Sequence, residues 1–85
     1  MPWRERLKNL NDGDQLIHVS HRLKGSLGQT DIDHYEIING TGDVVGYVKL
    51  EDHTDIKAPH TQSITLTQKN ENGEEVHHET WYPKN

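Results

Sequence analysis

The stretch TDIDHYEIINGTGDVVGYVKLEDHTDI, residues 30–56, decides the fold that the sequence predicts. Turn residues around Thr41 and Gly42 divide it into two segments in which apolar and polar side chains alternate. Alternation with a period of two is typical of a half-buried β-strand, and two such segments around a glycine-containing turn are typical of a β-hairpin. The stretch therefore predicts antiparallel strands over 31–39 and 44–51.

The same alternation predicts the register of this hairpin. With Thr41 and Gly42 at the centre of the turn, Asn39 faces Val44, and the numbers of all later facing residues sum to 83. A shift by one residue would mix polar and apolar side chains on both faces, because successive residues point to opposite sides. The preferred register collects these residues on one face: Tyr35, Ile37, Val44, Gly46, Val48 and Leu50.

Three more strands and one helix are predicted elsewhere. QLIHVSHRL at 15–23 alternates, and the segments 63–70 and 75–82 flank an Asn-Gly turn. That turn sets Glu71 opposite Glu74, which also sets Ile64 opposite Trp81 and Leu66 opposite Glu79. Near the start, the apolar residues Trp3, Leu7 and Leu10 have helical spacing behind Pro2, which predicts a short helix over 2–11. A helix this short is marginal alone, so we expect it to dock on the sheet.

These elements predict one domain, residues 1–85, of the mainly β (α+β) class. Each strand is joined to the next by a turn or loop, which indicates a five-stranded antiparallel meander sheet with the N-terminal helix packed on one face. A small five-stranded β-barrel is the alternative, because closure would remove the exposed strand edges.

The composition predicts a thin core. Apolar residues make up 29% of the chain, against a usual value of about 45–50% on a count that includes glycine. A thin core favours a homodimer or a partner that completes it. The sequence has no cysteine, which excludes disulfides and thiolate metal sites. It shows neither a secretory signal nor a membrane-spanning run, so we expect a cytoplasmic protein with no membrane partner.

Charge is distributed unevenly along the chain. Residues 1–24 hold five bases against three acids, residues 25–85 hold four bases against eleven acids, and the formal net charge is −5. An acidic sheet disfavours direct binding of nucleic acid, because Lys and Arg supply most of the affinity for phosphate. It favours a protein partner with a basic surface, with which it would associate faster.

Acidic residues concentrate at the open end of the predicted hairpin. The register sets Asp31 opposite Asp52, and like charges that face each other destabilise a sheet. The strands could splay there and leave both acids in water, a cation could lie between them, or a basic partner could neutralise them. We predict partner binding through these residues: Asp31, Asp33, Tyr47, Glu51, Asp52 and Asp55.

The seven histidines do not predict a metal site. His18 and His21 are three residues apart on a predicted strand, which points them to opposite faces, and the adjacent His77 and His78 diverge in the same way. The sequence predicts no catalytic residue and no cofactor, because its serines lie in no nucleophile elbow and its glycines form no phosphate-binding loop.

The sequence therefore predicts a small acidic protein-binding module rather than an enzyme. The role we expect is that of a stoichiometric inhibitor, which masks a basic surface of its target. Such a target could be a nuclease toxin, for an immunity protein or antitoxin, or a nucleic-acid-binding defence enzyme, for a mobile-element protein. A metal-binding or structural homo-oligomeric β protein is the alternative.

Overall fold

The described part of the chain forms one open antiparallel sheet. The computed structural model describes residues 3, 6–8, 10, 13–25, 28–55, 57 and 61–83. The strands are β1 (Gln15–Lys24), β2 (Gly28–Ile38), β3 (Val44–Asp55), β4 (Gln62–Asn70) and β5 (Glu75–Trp81). They lie side by side in chain order. The predicted meander is confirmed, and the barrel alternative is wrong because β1 and β5 remain two separate edges.

The predicted register of the central hairpin holds along most of its length. β2 pairs with β3 from Gly28–Asp55 to Ile37–Gly46, with the expected sum of 83. Beside the turn the prediction is wrong, because Ile38 rather than Asn39 faces Val44. The backbone N–H of Asn39 instead closes the turn by donating to the Asp43 carbonyl at 2.9 Å. Val45 is thus an extra residue, which makes a β-bulge.

The second hairpin repeats this arrangement. The predicted pairs Ile64–Trp81 and Leu66–Glu79 are confirmed. The predicted pairing of Glu71 with Glu74 is wrong, because the backbone N–H of Asn70 donates to the Glu74 carbonyl at 2.8 Å. The register then shifts beyond Lys69–Glu75, which leaves Val76 as the extra residue. The two hairpins therefore share one loop design, although they have different strands.

A common sequence pattern explains the shared loop. NGTGD at 39–43 and NENGE at 70–74 each begin with an asparagine whose side-chain oxygen accepts two backbone N–H groups, two and four residues later, at 2.9–3.0 Å. Each has glycine in fourth place, with φ of 90° at Gly42 and 84° at Gly73. Only glycine adopts this conformation without strain, and asparagine readily caps its own turn.

The core lies on one face of the sheet, beneath the N-terminal segment. Trp3 and Leu7 are buried together with Ile37, Val48 and Leu66. Val48 is 1% exposed and Leu66 is 0% exposed. These N-terminal apolar side chains therefore pack on the sheet, and we call this side of the sheet the core face.

The helix predicted over 2–11 is not confirmed. The described residues of that segment, 3, 6–8 and 10, contain no α-helix, and the rest of the prediction lies outside the described residues. The backbone N–H of Lys8 donates to Gln68 Oε1, and Gln68 Nε2 donates to the Lys8 carbonyl, both at 2.7 Å. Because one side chain takes both backbone groups of Lys8, the sheet holds the segment at this point rather than helical hydrogen bonds.

A second anchor holds the segment at the edge of the sheet. The Arg6 guanidinium lies 4.1 Å over the ring of Trp81 and pairs with the Glu79 carboxylate. A cation over an aromatic face and a charge-assisted hydrogen bond both favour this position. On the opposite side, the Trp3 ring lies 5.1 Å from the ring of Tyr35. The segment therefore spans the core face from β2 to β5.

Candidate functional site

The predicted partner-binding residues lie on two faces of the sheet, because side chains alternate along each strand. The core face carries Asp31, Asp33 and Asp52, and the opposite face, which we call the open face, carries Tyr47, Glu51 and Asp55. The structure therefore does not bring the six residues together in one patch.

The two opposed carboxylates find separate partners within the fold. Asp52 accepts hydrogen bonds from Gln62 Nε2 on β4 at 2.8 and 3.0 Å. Asp31 Oδ1 lies 3.7 Å from His21 Nε2 on β1. Although Asp31 and Asp52 face each other, each turns outward from the hairpin, and strand pairing continues past them to Gly28 and Asp55. The strands do not splay, and neither a cation nor an external base is needed to explain their pairing.

A bulge in β1 overturns the predicted positions of two histidines. The pairing of β1 with β2 shifts between His18 and Ser20, with Val19 as the extra residue. One extra residue reverses the alternation, so His18 and His21 lie on the same face. His18 Nε2 lies 2.9 Å and His21 Nδ1 2.8 Å from a single atom, Asp33 Oδ1. The prediction that these imidazoles diverge is wrong, because it assumed a strand without a bulge. The sequence carries no signal for this bulge.

His18, His21, Asp31 and Asp33 form a cluster that is joined by hydrogen bonds and one longer ion pair, and we call it the His–Asp cluster. Both imidazoles contact the same carboxylate oxygen, and no group of three or more His, Asp or Glu among the described residues could hold a metal ion. Burial alone would raise the pKa of Asp33, but the hydrogen bonds and charges of His21 and His18 outweigh it and hold that pKa below its ordinary value. The cluster thereby ties β1 to β2.

The open face carries a groove of about 730 Å³ that all five strands line. One lining residue from each strand, in chain order, is Val19, Glu36, Tyr47, Lys69 and Glu75. The N-terminal segment packs on the core face and leaves this groove accessible. An uncovered antiparallel sheet face is ordinary in itself, but a concave one that exposes an aromatic ring is suited to contact with another molecule.

The centre of the groove combines predicted and unpredicted residues. Tyr47 and Glu51 were predicted to contact a partner, and both line the groove. Glu36 and Lys69 were not assigned, although both face Tyr47 directly, one from each side. The hairpin register already placed Glu36 there. The position of Lys69 depends on the register between β3 and β4. This register could not be predicted, because the segment that joins the two strands is polar and contains no Asn-Gly or Asp-Gly turn signal.

A hydroxyl, an imidazole and a carboxylate follow one another at the far end of the open face. Thr30 Oγ1 lies 2.6 Å from His53 Nδ1, and His53 Nε2 lies 3.1 Å from Asp55 Oδ1. This order resembles the nucleophile, base and acid of some hydrolases. Thr30, however, lies in a strand that is paired on both sides, so the sheet already uses the nearby backbone N–H groups that an oxyanion hole would require. We interpret the three residues as structural.

Within the described ranges, no helix is long and apolar enough to cross a membrane. In comparisons with known proteins, no family model, no curated protein and no solved structure matches this chain.

Proposed function

We propose that this protein is a stoichiometric protein-binding module and that the open face of its sheet is the binding surface. The observation that carries the proposal is the groove of about 730 Å³, which runs across five strands around Tyr47. Tyr47 is 40% exposed. Tyrosine is enriched at protein interfaces because its ring offers a large contact area and its hydroxyl a polar contact at a small cost in conformational entropy.

The partner presents a basic surface to this groove. Three glutamates line it against two lysines. The Lys49 ammonium lies 3.7 Å from Glu51, so these two charges largely offset each other. Glu36 and Glu75 then outnumber Lys69, on a chain with a formal net charge of −5. Such a surface speeds encounter with a basic partner and disfavours an acidic one.

The proposed contact differs from the six residues expected from the sequence. Tyr47 and Glu51 remain in it, and Glu36 and Glu75 join it because they line the same groove. Asp33 and Asp52 are engaged by side chains of neighbouring strands, which gives them a role in holding the sheet together.

Masking is the activity that we assign to this module. A protein that covers the phosphate-binding surface of a nuclease, or of another nucleic-acid-binding enzyme, blocks it without chemistry, because Lys and Arg on that surface supply the affinity for phosphate. An immunity protein, an antitoxin or a mobile-element anti-defence protein in the cytoplasm would act in this way. The small size of the chain, 85 residues, and its acidity support this role.

The test is photo-cross-linking from two exposed positions on opposite faces. A photoreactive phenylalanine analogue replaces Tyr47 on the open face or, as the control, Lys8 on the segment that covers the core face. We expect position 47 alone to capture a discrete protein with a basic surface. Equal capture from both positions, or capture from position 8 only, would refute the assignment of the open face.

The captured protein is then purified and tested for binding in solution. We expect a 1:1 complex whose association slows as salt is raised. Replacement of Glu36 and Glu75 by lysine should weaken binding about tenfold or more, since it reverses the charge of the groove. Circular dichroism establishes that each variant is folded. Unchanged binding in a folded Tyr47→Ala, Glu36→Lys, Glu75→Lys variant would contradict the proposal.

A further inference from the structure

The two edge strands carry most of the exposed large apolar side chains. Among the described residues, only Tyr47 of this group lies elsewhere, and the others lie on β1, on β5 or directly after β5: Ile17, Val19, Leu23, Val76 and Tyr82. Leu23 is 59% and Tyr82 69% exposed. Sheet proteins usually keep such side chains away from their edges, because an apolar edge promotes pairing with another chain.

The two edges also carry opposite formal charge. β1 contains Arg22 and Lys24 and no acid. β5 contains Glu75 and Glu79 and neither lysine nor arginine, and Glu74 directly precedes it. Glu79 is committed to the N-terminal segment, whereas Glu74 and Glu75 are exposed at the start of the strand. One edge is therefore basic and the other acidic.

Within the described part of the chain, each edge strand is hydrogen-bonded to a neighbouring strand on one side only. The backbone groups on the other side of such a strand can pair with a further strand, which is a common mode of protein recognition. Because the sheet is antiparallel throughout, a strand that continues it beyond β1 would run antiparallel to β1.

We propose that the β1 edge binds the β5 edge of a second copy of this chain, so that the sheet continues from one molecule to the next. Antiparallel alignment that sets Lys24 opposite Glu75 of the second copy also brings Ile17 opposite its Tyr82. The spans 17–24 and 75–82 contain one bulge each, at Val19 and Val76, and so offer equal numbers of paired positions. If Val19 and Val76 stay unpaired, each residue of β1 and the residue opposite it in the second copy point to the same side of the extended sheet.

Charge selects this pairing over the two symmetric ones. β1 against β1 offers no acid to Arg22 and Lys24, and β5 against β5 offers no lysine or arginine to Glu75. Only the unlike edges set opposite formal charges across from each other. Because the two contact surfaces differ, the contact is heterologous, and copies add head to tail instead of closing as a dimer. This association uses the edges. It shares Glu75 with the open-face groove, and the cross-linking test at Tyr47 does not depend on that residue.

The first measurement is the mass of the full chain in solution from micromolar to millimolar concentration. We expect the mass to grow past two copies as concentration rises and to fall when salt is added. Arg22→Glu with Lys24→Glu should abolish this growth, and so should Glu74→Lys with Glu75→Lys. The chain that carries all four changes should regain it, because its edges are again complementary. Lys57→Glu, at an exposed position outside both edges, is the matched control and should leave the growth unchanged.

The second measurement is hydrogen exchange of backbone amides at low and high concentration. We expect added protection in β1 and β5 and none in β3, which is already paired on both sides. A mass that stays at one copy throughout would overturn the proposal and would mean that the bulges and charges block both edges. A folded four-fold variant that fails to associate would overturn it as well. Either result leaves the cross-linking test at Tyr47 unaffected, so the two proposals fail separately.

Discussion

The two faces of this sheet consist of alternate residues of the same strands, yet they differ in what covers them. On the core face, Val48 and Leu66 are buried beneath the N-terminal segment. On the open face, their chain neighbours Tyr47 and Thr67 line an accessible groove. With 29% apolar residues, the chain packs its main cluster of buried side chains on one side of the sheet, and the groove on the other side stays accessible.

The largest test of this difference compares two neighbours in β4. Leu66→Ala should lower the free energy of unfolding by about 2–5 kcal/mol, because it removes a fully buried side chain and leaves a cavity. Thr67→Ala should lower it by about 1 kcal/mol or less, since it removes one exposed hydrogen bond to His78. Urea denaturation measures both values. Equal losses would mean that the two faces are covered alike.

A second test adds volume to the core face. A Cβ at Gly46 would lie 2.9 Å from the Lys69 carbonyl oxygen and 3.1 Å from Ile37 Cδ1. Gly46→Ala should therefore lower the free energy of unfolding by about 1–3 kcal/mol, because the backbone of β4 would have to move. Gly40→Ala is the matched control, because its Cβ would meet no described residue within 4 Å apart from its chain neighbours. Its effect should stay within about 0.5 kcal/mol. A neutral Gly46→Ala would show that β3 and β4 have room between them.

The smallest test concerns the His–Asp cluster. The pKa of Asp33 is lowered in the folded protein, so its ionised form stabilises the fold fully above the ordinary value of 3.8. This contribution is lost as the pH falls through the lowered pKa. Asp33→Asn should therefore reduce stability at neutral pH and make the loss of stability in acid less steep. Thermal unfolding between neutral pH and strong acid measures this, and parallel curves for both proteins would contradict the assigned role of Asp33.

The strand order and most of the central register could be predicted, because alternation and turn residues are local signals. The bulge at Val19 could not be predicted, and those at Val45 and Val76 were missed. A bulge is one unpaired residue, and Val19, Val45 and Val76 resemble any other strand valine. The loops NGTGD and NENGE did contain a signal for two of them, since both close the turn between their first and fifth residues. Val19 has no such loop beside it.

The sequence by itself determined that the chain forms five antiparallel strands, that it is acidic and that Asp31 faces Asp52. Only the tertiary structure decided what those acids do, because their partners, His21 and Gln62, come from strands on opposite sides of the hairpin. It also decided which face stays open, through contacts of Lys8 with Gln68, 60 residues away. Local patterns specify strands, whereas the use of each face depends on which distant segment packs against it with satisfied hydrogen bonds.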